Sequence, residues 1–122
     1  MLTTQQLLDI IKTQNVIFGG NACPFYKASV QLLDALLNSK IIPQYTKLIM
    51  DQDYTREQLL EVCTQYNWQP QDGQSYPSKP QVFLDNQLLG GNFEFYKSKW
   101  NRGESMPNIS NPMRFWGYFW HF

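Results

Sequence analysis

Leu7, Leu8, Ile10 and Ile11 recur at helical spacing behind Thr3 and Thr4, which predicts a first helix capped by one of these threonines and ending near Gln14. Val16-Ile17-Phe18 is a short apolar run closed by Gly19-Gly20, the pattern of a buried strand that leads into a turn. Pro24 suits the first turn of a helix, where its missing N–H is no loss, and Ala28, Leu32, Leu33, Leu36 and Leu37 supply the buried stripe as far as Asn38. Tyr45 to Met50 reads as a second strand. Asp53 is placed to cap a helix running to about Tyr66, with Leu59, Val62, Cys63 and Tyr66 turned inward. The polar stretch from Gln69 to Ser78, with Pro70, Gly73 and Pro77, is a loop. Gln81 to Leu84 and Gln87 to Leu89 flank Asp85-Asn86, a pair that tolerates positive φ, and so form a β-hairpin. Gly90-Gly91 then permits a sharp backbone turn into a helix capped by Asn92.

The order is therefore helix, strand, helix, strand, helix, hairpin, helix. A right-handed βαβ crossover pairs the first two strands in parallel, and the hairpin adds antiparallel strands to the same sheet. The expected architecture is α/β, a four-stranded mixed sheet with helices on both faces and an extra helix at the N-terminus. A chain of 122 residues with 43% hydrophobic content suffices for one core.

Charge narrows the function classes. Ten basic and ten acidic residues leave a formal net charge of zero, so no global field draws the protein to nucleic acid or to an anionic membrane. No apolar run approaches the roughly 18 residues of a membrane span, and MLTTQQLLDI has neither a basic segment nor a small-residue cleavage site. The expectation is a soluble cytoplasmic protein. The two cysteines, Cys23 and Cys63, are too few for a disulfide framework and fit a reducing compartment.

Cys23 stands immediately before Pro24, at the start of a predicted helix. A thiol there faces unpaired N–H groups and the positive end of the helix dipole, both of which favour thiolate. Such settings lower a cysteine pKa from ~8.5 to between ~3.5 and ~7.5, which makes the nucleophilic anion a major species at neutral pH. Lys27, one turn into the helix, adds positive charge. Cys63 falls on the apolar stripe of its helix and reads as a small core residue.

The strand followed by Cys23-Pro24 at a helix start, the proline that opens "PQVF", the Asp-Asn turn and the Gly-Gly pair together resemble the glutaredoxin family of the thioredoxin fold, from about Thr3 to about Trp100. The resemblance implies a glutathione-dependent thiol-disulfide oxidoreductase with Cys23 as nucleophile and a cis Lys79-Pro80 peptide close to it. Residues 1–104 are then the glutaredoxin-like domain and residues 105–122 an aromatic C-terminal extension. Tyr26 stands where dithiol members carry a second cysteine, so the active-site motif Cys-Pro-Phe-Tyr is monothiol-like. One thiol suffices to take glutathione from a mixed disulfide and be regenerated by a second glutathione. Tyr26 itself is either an aromatic lid packed near the site or a hydroxyl donor to thiolate or ligand.

The glutathione or substrate site implied by the resemblance comprises Pro24, Phe25, Tyr26, Lys79, Pro80, Gly90, Gly91 and Asn92. The residue before a cis-proline offers backbone N–H and C=O to an extended peptide, and Gly90-Gly91-Asn92 at a helix start can receive a carboxylate. Three family positions differ. Gly20 and Pro77 stand where cations are usual, and Phe93 where an aspartate is common. Lys79 is an unfamiliar cation in this region and is placed to supply the charge that Gly20 lacks.

Beyond this domain, "MRFWGYFWHF" crowds Phe115, Trp116, Tyr118, Phe119, Trp120 and Phe122 into ten residues. These rings either cover the domain or form an interface with a protein partner or a second copy. His121, the only histidine, has no acidic or cysteine company, so no metal site is expected. Two other functions compete with the enzyme. One is a thioredoxin-fold interaction module without turnover. The other is a carrier of a [2Fe–2S] cluster held by Cys23 and glutathione, against which Pro24 counts, because cluster-binding relatives have glycine there.

Overall fold

The computed structural model describes residues 1–20, 24–38, 40, 42–70 and 73–90. Cys23 lies outside the described residues, as do Gly91, Asn92, Phe93, the helix expected after Asn92 and the aromatic tail.

Among the described residues seven elements follow in the expected order: α1 (Thr4–Thr13), β1 (Val16–Gly19), α2 (Pro24–Asn38), β2 (Thr46–Ile49), α3 (Arg56–Gln65), β3 (Gln81–Leu84) and β4 (Gln87–Gly90). Helix α1 is capped by Thr3, whose hydroxyl accepts from the Gln6 N–H while the Gln6 side chain accepts from the Thr3 N–H, so two orphan donors of the first turn are satisfied at once.

The same reciprocal arrangement starts α3, with Thr55 and Gln58 and not with Asp53. The Asp53 carboxylate instead accepts from the Ile49 N–H at 2.8 Å and closes the turn after β2. The carboxylate is directed back toward β2, and Thr55, two residues later and directly before α3, supplies the cap.

The strands lie in the order β2-β1-β3-β4. β1 pairs with β2 in parallel, while β1–β3 and β3–β4 are antiparallel. The hairpin turn places Asp85 at φ 53° and Asn86 at φ 61°, the left-handed pair that a two-residue loop between twisted strands requires. β4 slips register against β3 between Val82 and Phe83. Gly90 ends β4, paired with Val82, and Gly19 ends β1, so one glycine of each doublet belongs to a strand and not to the turn beyond it.

Period-two alternation sorts the core into two layers. Ile17, Val82 and Leu84 face α2, where they pack with Tyr26, Leu33 and Leu36. Val16, Phe18 and Phe83 face the other way, against Leu7, Leu8 and Ile11 of α1 and Leu59, Val62 and Cys63 of α3. Helices thus cover both faces. The buried side of α2 is Tyr26, Ser29, Leu33 and Leu36, whereas Leu32 and Leu37 are only half-buried. The inward face is rotated from the expected one because Tyr26 brings the first turn of α2 down onto β1.

At the pole where β1 begins, buried Asn15 donates to the Gln44 carbonyl and accepts from the Asp85 N–H, each at 3.0 Å. No helix among the described residues is long and apolar enough to cross a membrane.

Candidate active site

The opposite pole holds those of the expected site residues that the structure describes. β1 ends at Gly19, Gly20 follows, and α2 begins at Pro24, the residue directly after Cys23. Phe18 pairs with Gln81 at the start of β3, so the segment that precedes β3 runs beside the segment that leaves β1. The peptide between Lys79 and Pro80 is cis, as expected, and Pro80 is buried while Lys79 is exposed. The Gln81 side chain donates to the Ser78 carbonyl at 2.8 Å and braces this turn, and the Arg56 guanidinium stacks 4.0 Å above the Tyr76 ring, linking the loop to the first turn of α3.

Gly19 is held from three sides. Its carbonyl accepts from the Met50 N–H and from the buried Tyr54 hydroxyl, each at 2.9 Å. The face where a side chain would project is occupied by the Tyr26 ring. A Cβ there would be driven into the ring's Cδ2 and Cε2 and would stand 2.9 Å from its Cγ. Glycine is required here by close approach. Tyr54 in turn meets Phe18 edge to face with centroids 5.0 Å apart, and burial raises its hydroxyl pKa above the ordinary tyrosine value.

The described site residues divide by exposure. Pro24 and Phe25 are exposed, Phe25 at 61%, and are available to a ligand. Tyr26 is 8% exposed and belongs to the α2-side core, so it packs as an aromatic plug, and burial raises its pKa. Lys79 reaches back over the loop that leaves β1. Its Nζ lies 3.5 Å, and its Cδ 3.7 Å, from the point a Cβ on Gly20 would occupy. Pro77, at the other position where a cation is usual, is buried. Gly90 is the end of β4, whereas Cys23, Gly91 and Asn92 lie outside the described residues.

Sequence reasoning missed Gly19 and Tyr54 as supports of the site. The Gly-Gly doublet is a usable signal for close approach, but which ring approaches is a tertiary fact.

Cys63 is fully buried on α3, and burial pushes its thiol up to about 12. At pH 7 its thiolate fraction is then on the order of 10⁻⁵, so native labelling of Cys63 by a thiol reagent is expected to be negligible. The raised pKa also has a sign for stability. Below the ordinary value of 9.0 the thiol is neutral in both states, while above it the unfolded chain ionises and the folded chain does not. Stability therefore falls as pH rises through 9 to 10, and the slope over that interval in denaturant titrations is expected to be shallower in Cys63→Ala.

The fold is thioredoxin-like, and it is similar to solved glutaredoxin structures. Oxidized glutaredoxin 2 from Chlamydomonas reinhardtii matches with a TM-score of 0.50 at 18% identity, over 82% of this chain and 83% of that one. A monomeric truncated mutant of Trypanosoma brucei 1-C-Grx1 matches with a TM-score of 0.45 at 17% identity, over 89% of this chain and 99% of that one. No family model and no curated protein matches the sequence.

Proposed function

We propose that the protein is a glutaredoxin-like thiol-disulfide oxidoreductase that removes glutathione from mixed disulfides by a monothiol route, with Cys23 as nucleophile. The observation that carries the reading is the meeting of two segments at one pole of a thioredoxin-like sheet. The cis Lys79-Pro80 turn lies beside the Gly19-Gly20 segment, and α2 starts one residue after Cys23. In such a frame the residue before a cis-proline presents its backbone to an extended peptide, and Pro24 and Phe25 offer an exposed rim.

The steps balance without a second protein thiol. The Cys23 thiolate attacks the glutathionyl sulfur of a mixed disulfide, the Cys23–glutathione bond forms, and the target thiolate leaves and takes a proton. A second glutathione, as thiolate, then attacks the glutathionyl sulfur on Cys23. Glutathione disulfide departs, Cys23 is restored, and two electrons have passed from glutathione to the target. The buried ring at Tyr26 and the buried, high-pKa thiol of Cys63 both favour this single-thiol course. A reducing compartment such as the cytosol supplies the glutathione, and Gly90, Gly91 and Asn92 remain the proposed receptor for one of its carboxylates.

Turnover of a glutathionylated protein or peptide with glutathione as reductant, coupled to detection of glutathione disulfide, tests the reading. Catalysis well above the rate with glutathione alone is expected. A rate equal to that background would leave the interaction-module reading in its place.

A further inference from the structure

We propose that the cleft at the pole where β1 begins, opposite the Gly19-Gly20 segment, is a binding site for a small organic molecule held through a single carboxylate group. It stands apart from the reading of Cys23 and does not depend on it.

The cleft has a volume of about 310 Å³ and is walled by the end of α1, the segment before β2 and the turn between β3 and β4. That volume is close to the lower bound of small-molecule sites, ~300 Å³. Three segments distant in sequence meet there because one buried side chain ties them. Asn15, 5% exposed, donates to the Gln44 carbonyl and accepts from the Asp85 N–H, each at 3.0 Å, so the walls are held in place from inside. Ile11, which is fully buried, and Pro43 contribute apolar surface.

The polar lining is rich in donors, and the hydrogen bonds already made explain why. The Gln14 side-chain oxygen accepts from the Thr46 hydroxyl, and the Asn86 side-chain oxygen accepts from the Tyr66 hydroxyl. A carboxamide whose oxygen is engaged in this way has its NH₂ group left to offer. Among the described residues neither of these NH₂ groups donates to a protein acceptor, and the same holds for the Gln44 amide and the Lys12 ammonium. Three amide donors and one cation therefore line a cleft whose walls are fixed.

Charge selects the ligand group. Asp85 also lines the cleft, and the negative end of the α1 dipole lies at the same pole, so a doubly charged anion such as phosphate is opposed. A carboxylate carries one charge, accepts several hydrogen bonds at its two oxygens, and leaves its organic part to Ile11 and Pro43.

The test titrates the full chain with acetate and follows the side-chain NH₂ resonances of Gln14, Gln44 and Asn86 in ¹⁵N–¹H spectra, beside parallel titrations with acetamide, a neutral analogue, and with inorganic phosphate. Acetate is expected to give saturable shifts centred on these three residues and to bind more tightly than either comparison probe. Lys12→Met is expected to weaken acetate by roughly three- to tenfold at low ionic strength, and Lys12→Arg to retain it. In the unmutated protein, salt near 1 M is expected to weaken acetate by a similar factor, a measurement that needs no variant to fold. Shifts that do not saturate and spread over surface amides mean an adventitious ion only and overturn the site. Acetamide or phosphate binding as tightly as acetate overturns the carboxylate, and an acetate affinity that neither Lys12→Met nor salt changes overturns the role of Lys12 and the proposal with it.

Discussion

Cys23→Ser is expected to reduce turnover of a glutathionylated substrate to the uncatalysed rate, a loss on the order of a thousandfold or more, while Cys63→Ser leaves turnover within about twofold. The asymmetry follows from the environments of the two sulfurs. Cys23 directly precedes the first residue of α2, and a thiol at such a sequence position is expected to meet unpaired N–H groups and the positive end of the helix dipole, which favour ionisation. Cys63 sits among Leu59, Val62 and Phe83 with no exposed surface, and removing it from water opposes ionisation. A hydroxyl at position 23 is not ionised at neutral pH and is a poor nucleophile toward sulfur, so the conservative change removes the reaction and keeps the volume. Stopped-time assays on both variants check this. Retained turnover in Cys23→Ser would transfer the chemistry to Cys63 and require α3 to open.

The second large effect is structural and joins Gly19 to Tyr26. Gly19→Ala is expected to destabilise the fold by about 1–3 kcal/mol, because the added methyl enters the Tyr26 ring and the Gly19 backbone is pinned by Met50 and Tyr54. Tyr26→Ala is expected to cost about 3–5 kcal/mol by emptying part of the α2-side core, a large share of the ~5–15 kcal/mol that holds a domain together. The double variant should be more stable than the sum of the two losses by about 0.5–3 kcal/mol, since the methyl then fills space the ring has left. Denaturant titrations of all four proteins measure that coupling, and strict additivity would mean that ring and glycine do not share the space.

The same packing bears on the proposed monothiol route. Tyr26→Cys gives the Cys-x-x-Cys spacing of a dithiol site and should confer reduction of protein disulfides. It also carries a stability cost close to that of Tyr26→Ala, because the thiol leaves most of the ring's volume empty.

Much of the architecture is legible in the residue pattern. The capping box at Thr3 and Gln6, the apolar run of β1, the proline that opens α2 and the Asp85-Asn86 turn each act within a few residues, and their geometry is dictated by local backbone chemistry. The start of α3 differs from expectation for the converse reason. Asp53 and Thr55 are both competent caps in sequence, and the choice falls to Thr55 because the Asp53 carboxylate is taken by the Ile49 N–H. The inward face of α2 is likewise shifted, since the periodicity of Leu32, Leu33, Leu36 and Leu37 allows several rotations and only the seat of Tyr26 on Gly19 selects one.

By itself, then, the sequence determined the order and kind of the elements, the mixed sheet with helices on both faces and the place of a thiol directly before a helix, because these depend on periodicity, capping and turn preferences that each short segment carries. Tertiary structure alone decided that Tyr26 is a core ring and that Gly19 has no room for a side chain. It also decided that the Lys79 ammonium stands over Gly20, and it completed the burial of Cys63 that the apolar stripe of α3 had already indicated. Each of these brings together residues that are distant along the chain, or sets a degree of burial. Such contacts follow from how the sheet pairs Phe18 with Gln81 and how helices settle on its two faces, which no local pattern encodes.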